Sequence, residues 1–247
     1  FTDIIPVSRG WICWDKIQAM DKFSDFELAW TSFDKVCNTF RFCNNGGFIV
    51  KGIDLKIHPT QKPVDLLKTL IEIFTDEGDV VIDPVAGSGS TLIAAERLNR
   101  KSYGFEIKKE FWSKANKWLE EEKLAKIALG AAEQSMRNVV PEVKLFESKS
   151  EFLAQLADFD KVFIAYEETA KAGELATLAR ELQTVQAGQQ LLFIFGPEGG
   201  ISPKEIDAFE AAGSIKVGLG PRIMRTETAP LYALSAVSFA LELNQNS

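Results

Sequence analysis

The sequence predicts an α/β protein whose strands run parallel and are joined by crossover helices. Three observations carry this expectation. Short apolar runs alternate with segments of helical periodicity at residues 79–82 (DVVI), 91–98 and 102–107 (SYGFEI). That order builds a parallel sheet. The pattern returns at 161–166 (KVFIAY), 173–185 and 191–195 (LLFIF). Glycine-rich turns follow strands at 83–91, 196–200 and 218–228, where free helix N–H groups make a ledge for a ligand.

The elements follow in order. Residues 10–16 (GWICWDK) and 27–33 (ELAWTSF) are short apolar strands, and 38–42 and 48–50 are weaker candidates. Residues 63–75 place Val64, Leu67, Leu70, Ile71, Ile73 and Phe74 at helical spacing. After the strand–turn–helix–strand unit at 79–107, the Lys/Glu-rich stretch 114–126 reads as an exposed helix. A helix over 123–139 and a strand over 143–146 come next. Residues 202–212 open with a capping box, with Ser202 as N-cap, Pro203 as the first helical residue and Glu205 three on from the serine. Residues 214–219 form a strand and 229–243 an apolar closing helix.

Composition bounds the function. A length of 247 residues fits one large domain or two small ones, and 46% hydrophobic residues suit a globular protein. No apolar run reaches a membrane span of roughly 18–20 residues, and no signal pattern opens the chain. The first residue is Phe1, as expected of a trimmed chain. The single histidine, His58, excludes a His-rich metal site, and no metal is expected. Three cysteines with no C-x-x-C pair point to a reducing cytoplasm. The net charge of -7 argues against non-specific, charge-driven nucleic-acid binding over the whole surface but not against a local basic patch. All five Trp and all three Cys fall in the first half, and the second half is the more acidic.

The turn Asp83-Pro-Val-Ala-Gly-Ser-Gly-Ser-Thr91 lies between a buried strand and a helix. Gly87 and Gly89 permit close approach of a ligand. No Gly-Lys-Ser/Thr follows, so this is not a P-loop. Glu106 ends the next strand, at a position suited to ribose hydroxyls. The plain alternative is a tight structural turn beside a solvated Glu. His58-Pro-Thr-Gln-Lys-Pro63, DPVAGSGST and GFEIKKEF together resemble the consecutive cofactor motifs of amino-group DNA methyltransferases, in the permuted order of adenine-N6 or cytosine-N4 enzymes. The resemblance covers about residues 8–120. It implies S-adenosylmethionine, with Asp83, Ala86, Gly87, Gly89 and Thr91 at the methionine end, Glu106 at the ribose and residues 58–63 flanking the site. The family's Asp/Asn-Pro-Pro-Tyr/Phe tetrapeptide, which holds the flipped base, occurs nowhere in the sequence. In this order it is expected ahead of residue 1. The target-recognition insert is also missing.

Gly196-Pro-Glu-Gly-Gly200 follows the strand LLFIF, and residues 218–228 (GLGPRIMRTET) follow the next strand. The plain reading is two tight turns and a surface charge cluster. FIFGPEGGIS (193–202), VGLGPRIMRTETAPLYAL (217–234) and AAEQSMRNVVPEV (131–143) closely resemble the RsmE family, the 16S rRNA uridine-N3 methyltransferases of the knotted SPOUT class. The resemblance spans about residues 124–247. It implies S-adenosylmethionine held by the loops around Gly196, Gly199, Leu219, Gly220, Ile223 and Met224. It also implies Arg225 and Glu227 near methyl transfer, with Arg225 or Arg222 stabilising charge on the base. A homodimer and a trefoil knot come with the family. The family's RNA-binding barrel and the first strand and helix of its knotted domain are not represented.

The sequence thus reads as a chimera joined near residues 120–126. Residues 1–123 are a Rossmann-like, S-adenosylmethionine-binding methyltransferase fragment, and residues 124–247 a SPOUT-like fragment. The leading expectation is rRNA uridine-N3 methylation by the second half. The alternatives are an adenine-N6 DNA methyltransferase fragment and a non-catalytic scaffold that at most binds the cofactor. RNA is the expected partner, DNA a second one, and no membrane is involved. Arg137, beside Gln134 and Asn138, is a further candidate for RNA contact or an ordinary solvated face. Trp11 and Trp14 are read as core and His58 as structural.

Overall fold

Alternating burial along WICWD makes the first strand, β1 (Trp11–Asp15). The computed structural model describes residues 6–17, 24–43, 56–166, 176–222 and 224–243; the expected strand at 48–50 lies outside them. Contacts divide the chain into two units, Phe1–Leu145 and Phe146–Ser247. The chain is a mixed α/β protein with parallel sheets.

In the first unit, β1 pairs antiparallel with β2 (Phe26–Trp30) and parallel with β3 (Asn38–Arg41). Ile12 and Trp14 face inward and are buried, whereas Trp11 is 40% exposed. The expectation that both tryptophans are core therefore holds for Trp14 alone. Successive side chains of a strand alternate faces, so residues 11 and 14 cannot share one. Lys16 is buried beside Trp14 and pairs with Glu27 at 2.9 Å; Lys62 reaches the same carboxylate at 2.8 Å. Burial would raise the Glu27 carboxyl, but hydrogen bonds and attraction from Lys62 and Lys16 outweigh it, and the group is held below its ordinary range.

Helix α1 (Val64–Phe74) packs on α2 (Ser90–Arg97), and α2 on α3 (Lys109–Gln134). Val64, Ile71, Ile93, Ala94 and Ala95 form the core, with Val81 and Trp118 against it. Between the helices in sequence lie two parallel strands, β4 (Val80–Asp83) and β5 (Lys101–Gly104). Arg97 binds Glu122 through two bonds of 2.7 and 2.9 Å, tying α2 to α3.

The helices expected over 114–126 and 123–139 are one continuous helix, α3, and the expected join at 120–126 lies within it. It ends in a Schellman arrangement, with Met136 at φ 54°, its N–H on Glu133 O and the Arg137 N–H on Ala132 O. The strand expected over 143–146 does not form. Instead the Leu145 N–H donates to Glu121 Oε1 at 2.9 Å, a side-chain acceptor in place of a neighbouring strand.

In the second unit, α4 (Lys149–Gln155) was not expected from the sequence; its signal is Ser148, whose side chain accepts from the Glu151 N–H at 3.2 Å. Strand β6 (Lys161–Ala165) is central, with β7 (Leu191–Ile194) and β8 (Ile215–Val217) parallel on either side. Its alternate residues serve opposite faces. Val162 and Ile164 pack with Ile206 and Phe209 of α6 (Pro203–Ala211). Phe163, fully buried, packs with Leu178 and Leu182 of α5 (Thr177–Gln183) and with Val237.

The expected capping box is present. The Ser202 N–H and Oγ both donate to Glu205 Oε2, at 3.0 and 2.7 Å. The closing helix, α7 (Ala229–Ser238), runs into a π-helical turn over Phe239–Leu243.

Phe163 fills the centre of this sheet, so Phe163→Ala is expected to cost about 3–5 kcal/mol. Urea unfolding followed in the second unit measures it; a change below about 1 kcal/mol would contradict the packing.

Candidate functional site

Three parallel strands bring their carboxyl ends to one edge of the second unit, the edge where open α/β sheets bind ligands. Ala165 and Tyr166 close β6, and Phe195 and Gly196 follow β7. The Tyr166 N–H donates to Val217 O at 3.1 Å, extending the ladder to that edge. There the chain surrounds a cavity of about 720 Å³. Ala165, Tyr166 and Phe195 line its base, residues 196–201 one wall, and Met224, Arg225, Thr226, Glu227 and Ala229 the other.

The first wall needs its glycine. A Cβ on Gly196 would stand 2.8 Å from Ile201 Cγ1 and 3.1 Å from Gly200 C. The loop folds back on itself so tightly that only a hydrogen fits. The Gly200 N–H closes the turn on Pro197 O at 2.8 Å, and Gly200 itself is at φ 75°. On the second wall, Arg225 O accepts from the Thr228 and Ala229 N–H groups at 3.0 Å each, which starts α7.

The cavity therefore unites Gly196, Gly199, Met224, Arg225 and Glu227 from the sequence-derived set. Leu219, Gly220 and Arg222 are not among its lining residues. Gly220, at φ 97°, makes the turn before the second wall, and Arg222 is exposed. Ile223 lies outside the described residues. Sequence reasoning missed Tyr166, Glu198, Gly200 and Thr226. Glu198 and Gly200 sit inside the quoted GPEGG, so the signal was on hand; Tyr166 carried none beyond ending an apolar strand.

In the first unit, Asp83, Gly87, Gly89 and Thr91 follow one another from the end of β4 into the first turn of α2. Asp83 Oδ1 accepts the Val85 N–H at 3.0 Å. Gly89, at φ 81°, caps α2, and a Cβ there would stand 3.0 Å from Ala115 Cβ. Gly87 lies against the His58 ring, which also packs edge-on against Phe111 with ring centroids 4.3 Å apart. His58 Nδ1 accepts the Thr60 N–H at 3.2 Å. These contacts give His58 a packing role.

Glu106 binds the turn directly. Its Oε1 accepts the Lys108 N–H at 2.8 Å and its Oε2 the Gly87 N–H at 3.0 Å. The Lys108 bond first, and then the Gly87 bond and the His58 ring, hold its carboxyl below the ordinary range against a smaller desolvation effect.

A depressed folded value means that the charged form stabilises this turn above the ordinary carboxylate value and that the benefit fades as pH falls through the folded value. The Gly87 and Lys108 amide resonances are thus expected to shift together on acidification below the ordinary carboxylate range. In Glu106→Gln neither should follow that titration. Independent behaviour of the two amides in the unaltered protein would refute the shared carboxylate.

Comparison with known proteins adds the family. Residues 104–238 match the model of an RNA methyltransferase domain, and residues 14–117 match that of a DNA methylase. Ribosomal RNA small subunit methyltransferase E of Bacillus subtilis (strain 168) is 48% identical over 122 residues, which are 49% of this chain and 48% of that protein. Type II methyltransferase M2.DpnII of Streptococcus pneumoniae is 48% identical over 65 residues, 26% of this chain and 24% of that protein. The chain thus spans about half the length of the first relative and about a quarter of the second. A solved ribosomal RNA small subunit methyltransferase E from Neisseria gonorrhoeae, bound to S-adenosyl methionine, is 25% identical with a TM-score of 0.42, covering 67% of this chain and 68% of that one. With more than half of its residues matched to one family model, the chain belongs to the RNA methyltransferase domain family, and its first half is similar to DNA methylases.

Proposed function

We propose that the second unit binds S-adenosylmethionine in the cavity between residues 196–201 and 224–229 and methylates uridine N3 in small-subunit rRNA. The observation that carries this reading is that both signature loops line one cavity, at the carboxyl edge of a parallel sheet. The fit is physical. A volume of about 720 Å³ falls within the range of nucleoside-sized sites. Gly196, Gly199 and Gly200 leave backbone N–H and C=O groups of one wall open to a ligand.

When bound, the cofactor supplies a methyl group already activated on a sulfonium. What remains for the protein is to align an acceptor nitrogen and to stabilise the anionic base. Arg225 lines the cavity and is always protonated, so it is assigned the second task. Arg222, outside the lining residues, is assigned to RNA contact. Gly196, Gly199 and Met224 hold the cofactor, and Leu219, Gly220 and Ile223 are assigned to it by the resemblance.

The wider reading keeps residues 124–247 as the SPOUT-like fragment, knotted and dimeric as in the family it resembles, and residues 1–123 as the Rossmann-like fragment, in a cytoplasmic protein. Among the described residues no helix is long and apolar enough to cross a membrane. A second reading, cofactor binding by the first unit in the manner of adenine-N6 DNA methylases, is favoured by the Gly87–Glu106 bond. Asp83, Gly87, Gly89, Thr91 and Glu106 would hold the nucleoside there.

Incubation with S-adenosylmethionine labelled on its methyl group is expected to label small-subunit rRNA. Arg225→Ala should lower that rate by about 10²–10³-fold, the scale of removing one charge-stabilising donor. Absence of label in any RNA with the unaltered protein overturns the proposal, and label in plain duplex DNA transfers the activity to the first unit.

A further inference from the structure

The glycines of the cavity give it shape, while its charge comes from three side chains. Among the described lining residues the acidic and basic side chains are Glu198, Arg225 and Glu227. Their formal charges sum to -1. None of the three makes an ion pair with another described residue. Two acidic and one basic residue therefore line the cavity without an ion-pair partner among the described residues. The amino end of α7, at Ala229, adds a partial positive charge suited to a ligand's carboxylate. The excess negative charge is left for a cation.

We propose that Glu198, on the glycine-rich wall, makes this cavity a charge-selective site that holds a sulfonium nucleoside and releases its uncharged thioether product. The inference rests on reading the cavity as the S-adenosylmethionine site and goes beyond it by naming how substrate and product cofactor are told apart. In the transfer, the C–S bond breaks and an N–C bond forms. The C–S electron pair stays on sulfur, and the proton of the acceptor nitrogen leaves to solvent. Sulfur thereby passes from cation to neutral thioether. The ligand's net charge falls from +1 to zero while its shape changes by one methyl group. Shape cannot separate two such ligands strongly, since one methyl is worth little in a pocket. Charge can, because an unpaired carboxylate interacts with one form and hardly with the other. Glu227, on the opposite wall, adds to the same field, and Arg225 opposes it. Glu198 is the residue that tips the balance and that has no other task in the reaction.

Calorimetric titration of the full chain with S-adenosylmethionine and with S-adenosylhomocysteine tests this. The unaltered protein is expected to prefer the sulfonium, and Glu198→Gln to lower the ratio of the two affinities about threefold to fivefold at low salt, the scale of one exposed charge pair. Raising the ionic strength to about 0.5 M should shrink the preference of the unaltered protein. Glu210→Gln makes the same charge change on α6, outside the cavity, and should leave the ratio alone. An analogue carrying an amine in place of the methyl sulfonium is cationic and should follow S-adenosylmethionine. If the unaltered protein binds the pair with a ratio that neither salt nor Glu198→Gln alters, the charge selection is wrong and the cofactor site stands. If it binds neither ligand, the cofactor site falls and the selection with it. The salt series needs no variant, so a poorly folded Glu198→Gln still leaves a decisive result.

Discussion

Strand β6 has a parallel neighbour on each side, and parallel neighbours cannot be joined by a hairpin. Each connection must cross the sheet and return, so the chain leaves β6, β7 and β8 at the same edge. The crossovers also require β6 to be apolar on both faces. KVFIA meets this by sending Val162 and Ile164 to α6 and Phe163 to α5. Once that strand is buried between two helices, the glycine-rich turn after β7 and the Arg/Glu-bearing segment after β8 have one place to meet. The cavity is a consequence of strand order before it is a consequence of any loop.

In the first unit the glycine turn stands at the end of a sheet of two described strands. Its β4–β5 pair is parallel, and α2 packs on both strands. The residues of the opposite face, Val80, Ile82 and Tyr103, are 51–63% exposed. Parallel strands are usually covered on both faces. The turn at its edge is secured by a side chain: Glu106 receives N–H groups from both Gly87 and Lys108, linking the glycine turn to the end of β5. In the second unit a turn of similar composition closes on backbone, with the Gly200 N–H on Pro197 O, and Gly196 is crowded against Ile201. A titrating side chain closes the first turn and a backbone carbonyl the second.

Much of this was legible in the sequence, and the limits have physical causes. Strands such as KVFIA and LLFI are read from apolar runs bounded by turns, and the capping box at Ser202 marks α6 to within a residue. The walls of the cavity were legible because glycine and arginine are conspicuous there. Tyr166 was not, since an aromatic residue at the end of an apolar strand looks like core until the strand's position in the sheet is known. Periodicity also fails where a side chain replaces a strand partner, as Glu121 does for Leu145. It fails at helix joins too: the polar face of α3 continues through the expected boundary, and only the left-handed Met136 ends it. Leu219, Gly220 and Arg222 belong to the same motif as Arg225, yet a motif in sequence order is longer than the wall it builds.

Charge places a further demand on the proposed chemistry. A chain of net charge -7 gains little from releasing counterions over its surface, which is the general source of nucleic-acid affinity. RNA recognition must then be local and depend on shape, stacking and a few donors, the mode proteins use for unpaired RNA bases. Arg222 and Arg225 are both exposed on the segment after β8, and only Arg225 also lines the cavity. On the proposed reading the two arginines divide by task, Arg222 toward the nucleic-acid backbone and Arg225 toward the reacting base. Tyr166 lines the same cavity. On the proposed reading, a site with one lining arginine among the described residues depends on the fit of a nucleotide beside the cofactor more than on charge.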